Sequence, residues 1–408
     1  MRLSFILQVA KKEIVSTLRD RRAIVSSLLI PLLILPFVML GLPLLLGGLF
    51  QREQSNVTEI AVTGLEYLPP ELKTELEAQN ISFSETSNLE ALVRDGEYQV
   101  ALSIPEGFND KLESGEKVSL TLISKTGNLR SELNASKIGE AVSKFSQAIV
   151  TQRLSAAGLS AEILEPIGVE TLDASSDAER SSGQLAWLIP FFIAMWTLTG
   201  GQVTALDATA GEKERGTLES LLVSPVRRVE VVVGKFLSTL TFGLSASVMA
   251  ILGYLLGGAL LRSIFLKQLD EGAEEVVQIL GGSLQTTPLS IILLLLSALL
   301  LASLISALLI SITMFARTYK EAQSYVAPLS FVMIIPAIGL QFSDFFGTNI
   351  IVYLVPILNA LVLMDDIVKG QVAFLPLLAT WASLIGFSVL FLDFAFRNFR
   401  REGVIFRT

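Results

Sequence analysis

Glu212, Lys213, Glu214, Arg215 and Glu219 crowd into one stretch, TAGEKERGTLESLLVSP (209–225), set between the charge-free runs Gly183–Leu206 and Phe236–Leu261. Three carboxylates interleaved with two bases do the chemistry of recognition: ion pairs and charge-assisted hydrogen bonds to another surface. They are not arranged for turnover. The chain contains no histidine and no cysteine, which removes imidazole bases, thiolate nucleophiles, disulfides and the usual zinc sites. It also contains no G-x-x-x-x-G-K-[ST] phosphate loop.

The spacing around these charges predicts a short helix over about 209–224. Thr209 and Glu212 stand at capping-box separation, and Leu218, Leu221 and Leu222 fall at i, i+3, i+4 on one face. Ser224-Pro225 ends the helix and can start the next, with serine as cap and proline in the first helical position. A solvated turn would account for the bases but not for defined ends and three carboxylates. A docking surface for a soluble partner accounts for all of it. That surface comprises Glu212, Lys213, Glu214, Arg215, Gly216, Thr217, Leu218 and Glu219, joined by Arg317 and Lys320 on the same side.

The elements that hold this helix are membrane spans. Of 408 residues, 51% are hydrophobic and the mean hydropathy is +0.60, more than a soluble globule needs. Seven apolar runs are candidates: Ala23–Phe50, Gly183–Leu206, Phe236–Leu261, Leu289–Ala316, Ala322–Ser343, Phe345–Met364 and Gly370–Leu392. The first is too long for a signal peptide and lacks a cleavage site, so it is a retained anchor. Arg2, Lys11, Lys12, Arg19, Arg21 and Arg22 precede it and put the N-terminus in the cytoplasm. Lys213, Arg215, Arg227, Arg228, Lys235, Arg317, Lys320 and the arginines at 397, 400, 401 and 407 all fall inside if six runs cross. With seven crossings the basic tail would lie outside. The weakest run contains Gly347, Asn349, Pro356 and Asn359 and leads into Asp365 and Asp366, so 342–369 is expected as a re-entrant helical hairpin on the outer side.

The expected fold is an α-helical membrane protein with six transmembrane helices, that hairpin, and a small α/β extracytoplasmic domain. Residues 1–22 form an amphipathic segment, 23–50 the first span, 51–182 the exterior domain and 183–408 the remaining spans. In the exterior domain NVTEIAVTG, YQVALSI and VSLTLIS read as strands, LPPELKTELEAQ and the segment carrying Ile138, Val142, Phe145 and Ile149 as helices, with Gly158 ending the latter. The second span offers Thr197, Thr199 and Gln202 and the fifth Ser324, Tyr325 and Gln341. Two readings stay open for these residues, pathway lining and helix packing. Asn359, Asp365 and Asp366 form either an outer gate or a cap for the hairpin. The outer loop at 262–288 is acidic, with Asp270, Glu271, Glu274 and Glu275.

GEKERGTLESLLVSPVRRVEVVVGK resembles the signature of type-2 ABC-transporter permeases, in particular the sodium-efflux branch. The resemblance extends to VAKKEIVSTLRDRRAIVSSLLIPLLILP and to YLVPILNALVLMDDIVKG. It implies that 209–224 is a coupling helix inserting into a separate ATP-binding subunit, which binds ATP and Mg, and that residues 2–20 lie along the inner face as a connecting helix. It further implies a homo- or heterodimer in a bacterial or archaeal cytoplasmic membrane, with both termini inside. The chain itself is then no enzyme, and needs no cofactor or metal. The scarcity of ionisable residues in mid-span points the same way, since ion-coupled transporters depend on them. Sodium and an amphipathic or hydrophobic compound remain open as cargo. Two other classes remain beside a permease: a non-transporting module moving an envelope partner through the exterior domain, and an ATP-independent receptor or scaffold.

Overall fold

In a computed structural model the structure describes residues 2–160, 164, 186–217, 225–265, 287–342 and 349–399. The chain divides into two compact units, Leu45–Asp173 and the remainder, Met1–Leu44 with Ala174–Thr408.

The larger unit is helical. Helix α1 (Leu3–Arg19) buries Ile6, Val9, Ala10, Glu13 and Thr17, a three-and-four-residue stripe in which one carboxylate replaces an apolar side chain. A cap by the Asp20 carboxylate on the Arg22 N–H, 2.9 Å, opens the short α2 (Arg21–Ile24). A π-helical turn (Val25–Leu29) carries it into α3 (Ile30–Ser55). The smaller unit, with helices α4 to α7, comes next in sequence. The helical unit resumes with α8 (Leu188–Leu206), which passes through a second π-turn (Asp207–Gly211) into α9 (Glu212–Glu214). Then come α10 (Arg228–Phe265), α11 (Pro288–Thr313), α12 (Tyr319–Gly339), α13 (Leu358–Lys369) and α14 (Phe374–Phe399).

Among the described residues six helices are long and apolar enough to cross a membrane: Arg21–Gly41, Leu188–Glu214, Arg228–Leu260, Pro288–Thr313, Tyr319–Gly339 and Phe374–Phe399. These are the six expected spans. The third begins earlier than the apolar run because the charges at its head are satisfied by pairing. Within the weak run at 345–364 the described residues form no spanning helix. Its described part is a 3-10 turn (Val352–Leu354) and the 12-residue α13, about 18 Å long at 1.5 Å per residue against a core of about 30 Å. Residues 343–348 lie outside the described part. Helix α13 is buried along most of its length, including Asn359 and Asp365.

Close packing of α8 on α10 sets the centre of this unit. A Cβ added at Gly200 would stand 2.5 Å from the Ala246 Cβ and 2.8 Å from the Phe242 carbonyl oxygen. At Gly253 it would stand 2.5 Å from the Leu32 carbonyl oxygen, so α3 also seats backbone to backbone on α10. Small residues at such seams let helices without a hydrophobic driving force gain dispersion contact.

The smaller unit is α/β. Strands β1 (Thr58–Thr63), β2 (Ile81–Glu85), β3 (Val100–Ser103) and β4 (Thr121–Ser124) form a sheet in the order β2-β1-β3-β4, with β1 parallel to β2 and β3, and β4 antiparallel to β3. Alternation sends Ile60 and Val62 of β1 to one core and Ala61 to the other. Helices α4 (Pro70–Ala78), α6 (Phe108–Glu113) and α7 (Leu129–Ala156) supply Leu72, Leu76, Phe108 and Ile138 to the first core, and α5 (Leu89–Asp95) supplies Leu89 and Val93 to the second. Strand β2, ISFSE, was not among the expected strands. Gly158 lies just past the end of α7 at φ +70°, where glycine carries no Cβ penalty.

Candidate functional site

The charged stretch does not begin a new helix. Thr209 is buried inside a helix continuing from α8, and its hydroxyl donates to the Ala205 carbonyl at 2.6 Å. A hydroxyl bonded back one turn is a helix-interior arrangement, so the capping box expected at Thr209 and Glu212 is corrected. At the other end the next helix starts at Arg228, not at Pro225. The Glu230 carboxylate accepts the Arg227 N–H at 3.0 Å and so closes the first turn.

Four of the five charges expected on the surface are engaged within the chain; Glu219, with the rest of 218–224, lies outside the described residues. Glu212 is only 2% exposed. Its two carboxylate oxygens divide between the ammonium groups of Lys12 and Lys235. Lys235, 1% exposed, also donates to the Ala208 carbonyl and to Glu13 Oε1, the latter at 3.3 Å. Lys12 closes the ring at 3.2 Å from the same Glu13 oxygen. Three acceptors use the three N–H donors of the Lys235 ammonium. Burial works to depress the Lys12 pKa, but the hydrogen bonds and charges of Glu212 and Glu13 outweigh it and the net shift is upward.

The other charges tie the stretch to the neighbouring spans. Lys213 donates to the Met314 carbonyl and, at 3.3 Å, to that of Ala316, satisfying acceptors at the end of α11. Glu214 accepts the Tyr319 N–H at 2.8 Å at the start of α12, whose Thr318 cap bonds Glu321 N at 3.2 Å. Arg215 returns to Asp207 across the π-turn at 2.9 Å, and the Thr217 hydroxyl donates to the Glu212 carbonyl at 3.3 Å. Gly216 holds φ +67°. The expectation of a uniformly solvent-facing charged helix is therefore corrected for Glu212. Arg317, just before α12, and Lys320, in its first turn, are exposed.

A second tie fastens the head of α1. The Arg2 backbone N–H bonds Glu230 Oε1 at 2.7 Å, and its guanidinium reaches Glu230 Oε2 at 3.4 Å and the Pro225 carbonyl. Between the two ties Gly234 lets α1 approach α10, where a Cβ would stand 2.7 Å from the Val9 Cβ. A polar cavity of about 420 Å³ opens beside the ring, lined by Ser16, Thr17, Asp20, Val203, Asp207 and Arg215 among others. Sequence reasoning missed Lys12, Glu13, Glu230 and Lys235. The available signal was Glu13 on the apolar stripe of α1, where a carboxylate demands a partner.

The residues weighed for a pathway do not converge. Thr197 is buried at the α8–α10 seam, its hydroxyl on the Ile193 carbonyl at 2.6 Å; Thr199 bonds Met195 at 2.9 Å and Gln202 is half-buried. Ser324, Tyr325 and Gln341 lie exposed along the fifth span and its end, with Tyr325 donating to Glu321 at 2.6 Å. The residues weighed for an outer gate do gather. Asn359 donates to the Tyr353 carbonyl at 3.3 Å, Asp365 pairs with Lys369 at 2.7 Å, and Asp366 accepts the Tyr353 hydroxyl at 2.8 Å. Burial is the main cause raising the Asp366 pKa to about 6. Among the described residues no group of three or more acidic side chains is placed to hold a metal.

Among the described residues, six long apolar helices with a charged element tied to α1 and to three of the six, α10, α11 and α12, define a multi-span membrane protein. The chain belongs to the family described as ABC-2 family transporter protein, which matches residues 24–397. It is 27% identical over 365 residues, 89% of this chain and 90% of the relative, to the ABC transporter permease protein NatB of Bacillus subtilis (strain 168). No solved structure matches the chain.

Proposed function

We propose that the chain is the membrane-spanning, non-catalytic subunit of an ATP-driven exporter, receiving its motion from a separate ATP-binding subunit that carries ATP and Mg. The observation that supports this reading is the tie pattern of residues 212–215. One short element is bonded to α1, α10, α11 and α12, so displacing it displaces most of the helical unit. The likeness to the relative described as a permease supports the same reading. Cargo of the sodium or amphipathic class would pass between two such subunits. The α/β unit lies outside, both termini lie inside, and α13 sits toward the outer side, in keeping with the distribution of lysine and arginine.

Docking is tested by affinity purification of the tagged chain in mild detergent, mass spectrometry and an ATPase assay. The comparison variant is Arg317→Glu with Lys320→Glu and Glu219→Lys, which leaves the described internal bonds of 212–215 in place. An ATP-binding subunit that co-purifies with the native chain and is lost from the variant supports the assignment. Retention by the variant, or no such subunit with the native chain, overturns it.

A further inference from the structure

The ring Lys12–Glu13–Lys235–Glu212 is an unusual thing to build where apolar side chains would serve. Removing charges from water is costly, and well-packed hydrophobic residues commonly match or exceed a buried ion cluster in stability. What charges supply that methyl groups do not is register: each oxygen and each ammonium has one place to be. Here Glu212 spends one oxygen on α1 and the other on α10. It cannot move alone without breaking both pairs in a buried setting. Glu13 Oε1 bridges the same two lysines at 3.2 and 3.3 Å.

An independent feature lies on either side of the ring. Two π-turns, Val25–Leu29 and Asp207–Gly211, occur in the described residues, one shortly after α1 and one immediately before Glu212. Such turns are rare and concentrate at functional positions. A π-turn holds one residue more than the α-helical ladder needs. Converting it shifts the helix beyond it by about 1.5 Å along the axis and about 100° around it. The second turn is held by the Arg215–Asp207 pair across it, 2.9 Å. The ring thus sits between two adjustable steps and couples them.

We propose that Glu212, Lys235, Glu13 and Lys12 are positioning residues forming a transmission lock. When an ATP-binding subunit displaces the segment beyond Glu212, the lock makes α1 move with it, together with the start of α10. This rests on the docking reading above and extends it from the surface into the chain.

The native sequence has no cysteine, so introduced thiols can be labelled singly or in pairs. Spin labels at Ser220 and Leu289 report the docking segment, and labels at Leu7 and Leu289 report α1; Leu7 and Leu289 are exposed. Distances are measured in the purified complex with and without ATP and vanadate. In the native chain both distances shift. In the triple variant Glu13→Met, Glu212→Met, Lys235→Met the ATP-binding subunit stays bound and hydrolyses ATP, the Ser220 shift remains and the Leu7 shift is lost. A Leu7 shift that survives in the triple variant overturns the lock, because a merely structural cluster would leave it intact. So does a native complex in which neither distance shifts. If the triple variant does not fold, Lys12→Met with Glu13→Met, which removes both members on α1 and leaves the Glu212–Lys235 pair in place, carries the same comparison. Failure to isolate any ATP-binding subunit with the native chain sinks the docking reading and the lock together, and is told apart by appearing before any variant is made.

Discussion

Two of the buried charge groups among the described residues of the helical unit are built on opposite plans. The ring around Glu212 balances two ammonium groups against two carboxylates drawn from α1, α9 and α10, and three of its four contacts join residues 23 to 222 positions apart in sequence. The cluster around Asp366 is local. It sets Asp365 and Asp366 against a single cation, Lys369, on the same helix, with Tyr353 contributed from the preceding turn. The ring pairs each carboxylate with both ammonium groups or divides it between them; in the other group burial, with the neighbouring Asp365 charge adding to it, raises the Asp366 pKa to about 6. The difference separates two uses of burial. One fixes distant elements to each other, and the other leaves a titratable group where a modest change in pH can be felt.

The sharpest way to break the ring is to unbalance it. Lys235→Met removes the cation shared by both carboxylates and leaves only half-exposed Lys12 to serve them. Uncompensated buried charge costs about 3–5 kcal/mol. A large fall in the thermal midpoint in detergent, with loss of monodisperse protein, is expected. Adding Glu13→Met and Glu212→Met to the same chain should recover most of the loss, although it removes more polar contacts. Recovery separates a penalty of imbalance from a simple sum of lost bonds.

The Asp366 cluster is sharpened by titration. Asp366 has its pKa raised from 3.8 to about 6, burial being the largest cause and the neighbouring Asp365 charge adding to it, against the Tyr353 hydrogen bond and Lys369. Between those values the folded chain holds more protons than the unfolded one, so stability falls as pH rises from about 4 to 6 and is flat above. Two pK units bound the effect at about 3 kcal/mol, and partial contact with solvent reduces it to about 1–2 kcal/mol. Asp366→Asn, measured by thermal shift across that range, should flatten this part of the profile. An unchanged slope would assign it to other groups.

These two clusters also mark what was legible beforehand. Apolar length gives seven runs, the distribution of lysine and arginine reduces them to six, and three of the four described strands come from β-branched runs. Strand β2 was missed because ISFSE places serine at alternate positions, weakening the apolar signal of an edge strand. The acids of α13 were visible because their partners lie within one helix and one turn. The ring was not, since Lys235 and Glu212 meet Lys12 and Glu13 only after α1 is laid along α10. The misplaced capping box has an equally physical origin. Thr-x-x-Glu is the spacing of an N-terminus and also of successive turns within a helix, and only the Ala205 carbonyl accepting the Thr209 hydroxyl decides between them.

A third charge pair calibrates both clusters from the other extreme. Arg397 and Asp393 meet at 2.7 Å one turn apart on α14, a shorter separation than the Lys235–Glu13 contact, yet both side chains are more than half exposed. If distance decided strength, this pair would rival the ring. Exposure decides instead, because water solvates each charge nearly as well when the partner is gone, and holding two long side chains together consumes rotamer freedom. Arg397→Ala is therefore expected to move stability by no more than about 0.5 kcal/mol, the smallest of the three effects, and to lose even that in high salt. Thermal midpoints of this variant at low and high salt, beside Lys235→Met under the same conditions, test the ordering. A loss at Arg397 comparable with that at Lys235 would mean that something absent from the exposed face in this structure, such as a second subunit, buries α14 there.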